Sequence, residues 1–211
     1  MARIQVLIEV GILVGSFLFG LLIYYFANSV PKEKKKQHID LVISQMINFV
    51  IFIWIGKIIY QFRLFIQDPI AVLAYPSHAE SFYIATVLFL INIGVQVYWK
   101  KFALKTFINV FIPVMIASAF LYEFIQMQLF EQQFISHFIV LIALLLCYVF
   151  MKKSTTNNLL LLFGWTLGLL IISYIDPFIM VFQYLISRIY IILTMVLALI
   201  SYIYFYRRRG M

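Results

Sequence analysis

The sequence is poor in charged residues and in cysteine. Only 11% of its 211 residues are charged, whereas 65% are hydrophobic; soluble domains carry roughly a quarter charged residues. A soluble chain of this length could not bury so much apolar surface, so a soluble domain is excluded. The single cysteine, Cys147, lies in an apolar run. It cannot form an internal disulfide and therefore gives no information on the redox compartment.

Motifs of soluble catalysis and of metal binding are also missing. The sequence contains no Gly-rich phosphate loop and no G-x-S-x-G element. The three histidines, His38, His78 and His137, lie in loops or at the edges of apolar runs, and none has a second metal ligand four residues away. We therefore predict no metal site and no cofactor.

What the sequence does contain is a series of apolar runs of the length that a helix needs to cross a bilayer, about 20 residues. They predict an all-α, polytopic integral membrane protein with a single transmembrane domain over residues 1–211. The seven predicted spans are 4–27, 40–62, 81–99, 106–128, 135–151, 158–175 and 186–206. Because Asp176-Pro177 breaks the chain before the last span, the first turns of that stretch, residues 177–185, are expected to lie along the outer surface.

Basic residues predict the orientation. Most of the 16 lysines and arginines fall in four clusters: Lys32/Lys34/Lys35/Lys36, Lys100/Lys101/Lys105, Lys152/Lys153 and Arg207/Arg208/Arg209. A seven-span count places all four clusters on one side of the membrane, which the positive-inside rule identifies as the cytoplasm. The N-terminus is then outside and the C-terminus cytoplasmic. This placement accounts for the net charge of +8, so we predict no nucleic-acid partner.

Four ionisable residues fall inside the predicted spans: Glu9, Lys57, Glu123 and Arg188. Each lies about five residues or fewer from the outer end of its span, which is roughly 5 to 10 Å deep at the rise of a helix. Charges at this depth are costly and usually face a partner or a polar cavity. We therefore predict that the four residues line one ligand-binding chamber in the outer leaflet. In the alternative interpretation Lys57 and Arg188 extend to lipid phosphates, and the two acids lie at the interface.

Other polar residues extend this hypothesis. Six amide residues lie within spans and favour the chamber: Asn48, Gln61, Asn92, Gln96, Asn109 and Gln126. The outer loop 63–80 is half apolar, so we expect it to lie at the membrane interface, and it carries His78.

Several short motifs resemble, in order, those of the prolipoprotein diacylglyceryl transferase family. Ile55-Gly56-Lys57-Ile-Ile-Tyr60 resembles the family's Gly-Arg-x-x-Tyr with lysine in place of arginine, Phe65-Ile-Gln-Asp68-Pro69 resembles the loop that follows, and Ile112-Pro113 resembles the proline of the fourth helix. The resemblance runs over about residues 7–209. It implies a seven-span protein of the bacterial plasma membrane whose relatives transfer a diacylglyceryl group from phosphatidylglycerol to the cysteine of a lipoprotein precursor.

The chain departs from that family at its signature positions. The family's His-Gly-Gly corresponds to Ala85-Thr86-Val87, its Gly-Arg-x-Gly-Asn-Phe to residues 119–124, and its Tyr-Gly-x-x-Arg to residues 163–167. Arginine forks suit phosphate and histidine suits proton transfer from a thiol, so their loss implies a non-catalytic homologue, a pseudoenzyme. Such a homologue would bind a membrane phospholipid such as phosphatidylglycerol, or a lipoprotein precursor.

Two alternatives remain open from the sequence. The first is a diverged diacylglyceryl or acyl transferase that uses Lys57, Glu123 and His78 in altered roles; His78 and Glu123 are then the candidate catalytic residues. The second is a small membrane transporter, which the absence of an internal repeat disfavours.

Overall fold

A computed structural model of the protein describes residues 2–74, 78–99, 102–130, 135–176 and 178–208, and the side chains of 7–72, 78–99, 102–129, 135–176 and 178–208. Nearly all of the described chain is helical. The elements in chain order are α1 Ala2–Ala27, α2 Lys32–Tyr60, α3 Phe62–Gln67, α4 Pro69–Ala74, α5 Ala79–Tyr98, α6 Leu104–Phe130, α7 Ile135–Phe150, α8 Thr155–Ile175, β1 Met180–Val181, β2 Tyr184–Leu185 and α9 Arg188–Arg207.

The long helices run alternately between two ends of one bundle. At one end α1 and α9 begin and the β1–β2 strands pair as an antiparallel hairpin; we call this the hairpin end. The opposite end carries the lysines at the start of α2 and after α7, together with Arg207 and Arg208; we call it the basic end. Contacts at each end confirm the alternation: Tyr24 at the end of α1 bonds His38 near the start of α2, and Glu123 of α6 contacts His137 near the start of α7.

Six of these helices, α1, α2, α5, α6, α8 and α9, are long and apolar enough to cross a membrane by length and composition. The α7 helix is also apolar but has only 16 residues, which corresponds to about 24 Å. Many large apolar side chains face outward, as expected for helices that contact lipid: Phe26 is 78% exposed and Phe150 85%.

The α6 helix is the centre of the bundle and packs against α1, α2, α7 and α8. Its contact with α1 is close because Gly20 has no side chain: a Cβ atom there would lie 2.5 Å from the Val114 carbonyl oxygen and closer still to the Ser118 hydroxyl. Small residues at a helix interface allow this approach. Gly56 similarly brings α2 against the backbone of Ser81 in α5.

Two apolar cores flank α6. One lies among α6, α7, α8 and α9 and includes Ile116, Leu141 and Trp165. The other lies among α1, α2, α5 and α6 and includes Val42 and Val110. The first core reaches the hairpin end through Ile172, Ile179 and Ile191, whereas the second lies toward the basic end.

The structure alters the sequence prediction in three places. The second helix begins at Lys32 rather than residue 40, because the lysines continue the helix beyond the apolar run; the Pro31 carbonyl accepts its first hydrogen bond, from the Lys35 N–H at 3.0 Å. The outer loop 63–80 contains two short helices, α3 and α4. Residues 180–185 form a β-hairpin rather than the first turns of a helix. Lys100, Lys101 and Arg209 lie outside the described residues.

Candidate functional site

A buried hydrogen-bonded network joins three helices at the hairpin end. Glu123 of α6 contacts the His137 ring, with 3.1 Å between Oε1 and Nδ1. Trp165 of α8 donates its indole N–H to Nε2 of the same ring at 3.1 Å. The three residues are 3%, 4% and 7% exposed. A carboxylate, an imidazole and an indole are thus linked inside an otherwise apolar bundle.

The Trp165 contact fixes the proton of the imidazole. An indole N–H can only donate, so Nε2 of His137 must be the acceptor. The ring then carries its proton on Nδ1, which donates to the Glu123 carboxyl oxygen. Both ring nitrogens are therefore occupied by hydrogen bonds inside the bundle.

A second pair lies beside this network. The Gln126 amide donates to the Tyr122 hydroxyl at 2.8 Å, and both residues are buried. The Gln183 side chain of the hairpin also bonds Tyr122, and Glu9 of α1 lies close enough to interact with it electrostatically. Polar groups from α1, α6 and the hairpin therefore converge on the Tyr122 hydroxyl.

The hairpin packs into the bundle rather than projecting from it. Phe182 stacks on Phe17 of α1 with ring centroids 5.3 Å apart and contacts Tyr122 of α6 at 5.5 Å. Phe182 and Gln183 both have positive φ, 49° and 71°, which is unfavourable for residues with a side chain. Such a turn persists where surrounding contacts fix it, and these stacks are contacts of that kind.

Tyr83 of α5 holds the other side of the hairpin. Its hydroxyl donates to the Leu185 carbonyl at 3.2 Å and accepts the Ser187 N–H at 2.8 Å. Next to it, Phe82 stacks on Tyr184 with centroids 4.6 Å apart. The hairpin is therefore held between α5 on one side and α1 and α6 on the other, beside Tyr122.

All four ionisable residues predicted to form the chamber lie at the hairpin end, in different surroundings. Lys57 and Glu123 are buried, Glu9 is half-buried and Arg188 is exposed. Glu123 bonds His137. The Arg188 guanidinium instead bonds the Ser173 carbonyl of α8 at 2.5 Å and lies 5.0 Å from the centre of the Tyr174 ring. Glu123 and Arg188 thus have different partners.

The remaining predicted residues are distributed more widely. His78 is exposed at the N-cap of α5, with its ring 5.9 Å from that of Tyr60. Of the supporting amides, Gln126 lies in the network region, but Asn109 bonds Asn158 at the basic end and Gln96 bonds Gln45 between α2 and α5. The prediction that these amides support one chamber is wrong for Asn109 and Gln96.

Sequence reasoning missed His137 and Trp165. One available signal was the short connection between the fifth and preceding spans, because a short loop makes two helices antiparallel neighbours. An acid in the last turns of one helix and a histidine in the first turn of the next then lie at the same end. Trp165 gave no comparable signal, since an aromatic residue in a span is usually packing.

Comparison of the chain with family models, with curated proteins and with solved structures finds no match in any of the three.

Proposed function

We propose that the protein is a seven-span protein of the bacterial plasma membrane, with its N-terminus outside and its C-terminus in the cytoplasm. The cationic residues at the basic end support this orientation, since such clusters remain on the cytoplasmic side. The course of α7 between the two ends supports its count as a seventh span: His137 near its start contacts Glu123 at the hairpin end, and Tyr148 near its end bonds Asn28 at the other. The hairpin end then lies in the outer leaflet.

In this proposal the hairpin end binds a phospholipid, or a lipoprotein-like ligand, without the transfer reaction of the family that the chain resembles. The observation that carries the proposal is the buried network of Glu123, His137 and Trp165 beside Tyr122 and Gln126. Ionisable groups inside a membrane bundle are expensive, and a site that needs them is the ordinary reason to keep them. A headgroup is the polar ligand available at that depth.

The same network argues against a transferase. A general base needs a free nitrogen within reach of the substrate proton, but Nε2 of His137 is occupied by Trp165. At the place that corresponds to the family's His-Gly-Gly, the Thr86 hydroxyl contacts the Tyr190 hydroxyl at 3.0 Å, and neither group is a strong base. The binding function therefore has better support than the chemical step.

Mass spectrometry of the intact protein in mild detergent tests the proposal. Phosphatidylglycerol or a synthetic lipobox peptide is added, and we expect a mass increase of one ligand per chain. A variant with Tyr122→Phe and Gln126→Leu should retain less ligand, whereas Asn109→Leu, which changes an amide at the basic end, should retain as much as the wild type. Equal ligand binding by both variants would show that Tyr122 and Gln126 are not part of the binding site. If the wild type binds neither ligand, the proposed function is refuted.

A diverged diacylglyceryl transferase is the second candidate, and the carboxylate–imidazole pair of Glu123 and His137 favours it. Displacement of Trp165 from Nε2 would free the imidazole to take a proton from a thiol. Complementation separates the two functions: expression of this chain in cells depleted of the authentic transferase should not restore growth if the protein only binds. Restored growth that is lost in His137→Phe would establish the transferase instead.

A further inference from the structure

A cavity of about 380 Å³ opens at the hairpin end, where α8 ends and α9 begins. It is separate from the Glu123 network. Both charged and apolar residues line it: Ser173, Asp176, Ile179, Ile186, Ser187, Arg188 and Ile189. The volume falls within the range of small-molecule sites.

The two charged residues of the cavity lie at the junction of α8 and α9. Asp176 is the C-cap of α8, where the helix dipole is negative, so its carboxylate adds to the potential of that helix end. Arg188 is the first residue of α9, and its guanidinium reaches back to a carbonyl in the last turn of α8. The cavity therefore has one cationic and one anionic group, which form its two poles.

The two poles do not neutralise each other within the described structure. No ion pair within 4.0 Å joins Arg188 and Asp176, and no hydrogen bond to the Asp176 carboxylate is present among the described residues. Arg188 uses one guanidinium nitrogen to cap the Ser173 carbonyl, and a guanidinium has further donors. Capping explains the position of Arg188 but not that of Asp176.

The surface next to the cavity is apolar and exposed. Ile189 lines the cavity and is 72% exposed, and Tyr174, Ile175 and Phe178, each next in sequence to a lining residue, are 74%, 70% and 66% exposed. Large aromatic and aliphatic side chains beside a polar site suit a ligand with a polar head and an apolar tail.

We propose that this cavity binds the zwitterionic headgroup of an amino-phospholipid of the phosphoethanolamine type. The phosphate contacts the Arg188 guanidinium and the N-terminus of α9, the ammonium contacts the Asp176 carboxylate, and the acyl chains lie on the apolar surface next to the cavity. The inference rests on the proposed function in that both require a phospholipid at the hairpin end. It adds a second headgroup position, separate from Tyr122 and Gln126, and the charge type of the headgroup bound there, which is zwitterionic rather than anionic.

Competition between lipids tests the inference. The full chain in mild detergent is mixed with phosphatidylethanolamine, phosphatidylglycerol and phosphatidylcholine with matched acyl chains. Mass spectrometry of the intact protein then identifies which lipids are bound. We expect phosphatidylethanolamine to be preferred about tenfold, because a charged hydrogen bond is lost with either competitor. Soluble phosphoethanolamine and inorganic phosphate are added separately.

Variants assign the preference to the two poles. Arg188→Gln and Asp176→Asn should each reduce binding of phosphatidylethanolamine about tenfold. Arg63→Gln and Asp68→Asn change the same residue types at the same end and should leave it unchanged. Because Arg188 also caps α8, Arg188→Lys is included: it keeps the cation and should retain part of the binding.

Each outcome decides the inference. The inference is supported if Arg188→Gln and Asp176→Asn lose the preference for phosphatidylethanolamine and the two control variants keep it. Binding of soluble phosphoethanolamine through the same two residues, with no diacyl lipid bound, supports the site with a free zwitterion as its ligand. Equal binding of the three lipids, or full binding by Asp176→Asn, overturns the inference while the proposed function stands. Failure of the wild type to bind any phospholipid, any soluble headgroup or the lipobox peptide overturns both.

Discussion

Replacement of His137 by phenylalanine should destabilise the protein, although the two rings have similar size. The change removes both bonds that the imidazole makes, to the Glu123 carboxylate and to the Trp165 indole N–H. Neither group can turn to solvent, because Glu123 is 3% and Trp165 7% exposed. The cost therefore comes from two polar groups left buried without a partner.

The two lost bonds contribute unequally. Hydrogen bonds between helices in a membrane average about 0.6 kcal/mol, so the neutral Trp165–His137 bond contributes about 1 kcal/mol at most. Leaving the buried Glu123 carboxyl group without its hydrogen-bond partner costs about 1–3 kcal/mol. We therefore expect His137→Phe to lower the free energy of unfolding by about 3 kcal/mol and Trp165→Phe by about 1 kcal/mol.

Thermal unfolding in detergent provides the assay, with ligand-free protein so that binding does not contribute. At about 2–4 °C per kcal/mol for a chain of this length, His137→Phe should lower the Tm by about 10 °C. The double variant Glu123→Leu/His137→Phe should recover much of that loss, because no carboxyl group is left buried without a partner. The two changes should therefore be strongly non-additive.

An exposed histidine at the same end serves as the control. His78→Phe should change the stability by less than about 0.5 kcal/mol, since the ring makes no side-chain cap bond and is exposed. Additive effects of Glu123→Leu and His137→Phe, or equal losses for His137→Phe and His78→Phe, would refute the network as described.

Three further predictions concern packing, burial and orientation. Gly20→Ala should destabilise the protein by about 1–3 kcal/mol by separating α1 from α6, whereas Gly15→Ala, with nothing within 4 Å of its added Cβ, should not; thermal unfolding measures both. Lys57→Leu should lower the free energy of unfolding by about 3 kcal/mol and Lys32→Leu by less than about 0.5 kcal/mol, because Lys57 is 8% exposed and Lys32 is exposed. Equal stability of the two variants would argue against a structured environment for Lys57. In intact cells, and with the native cysteine replaced, a membrane-impermeant maleimide should label His78→Cys but not Lys32→Cys, and the opposite pattern would invert the proposed topology.

The sequence was sufficient to predict the long helices, because long apolar runs are typical of helices that contact lipid. Helix ends were less accurate where the helix continues beyond the apolar run: α2 begins at Lys32, directly after Pro31. Hydropathy cannot predict such an extension, because a lysine-rich helix in water and a lysine-rich loop have the same low hydropathy.

The hairpin could not be predicted for a different reason. Residues 177–185 are apolar and read as an interfacial helix, and the two turn residues, Phe182 and Gln183, are not those that favour positive φ. Their conformation follows from contacts with Phe17 and Tyr122, which are distant in the chain. Tertiary packing decides this segment against its local preference.

The charged residues of the candidate site were predicted by type and depth but not by partner. Glu123 was singled out because an acid inside a span is costly, and the structure gives it His137 as partner. Depth follows from counting residues along one helix. A partner depends on the rotation and offset of the neighbouring helix, which the sequence pattern does not specify.

The lipid that accompanies the protein from its own membrane tests the central claim most directly. The chain is purified in mild detergent, and its bound lipids are extracted, identified and counted per chain. We predict at least one phospholipid per wild-type chain, with less retained by Tyr122→Phe/Gln126→Leu. Protein that retains only detergent, or phospholipid retained equally by that variant, would contradict a binding site at the hairpin end.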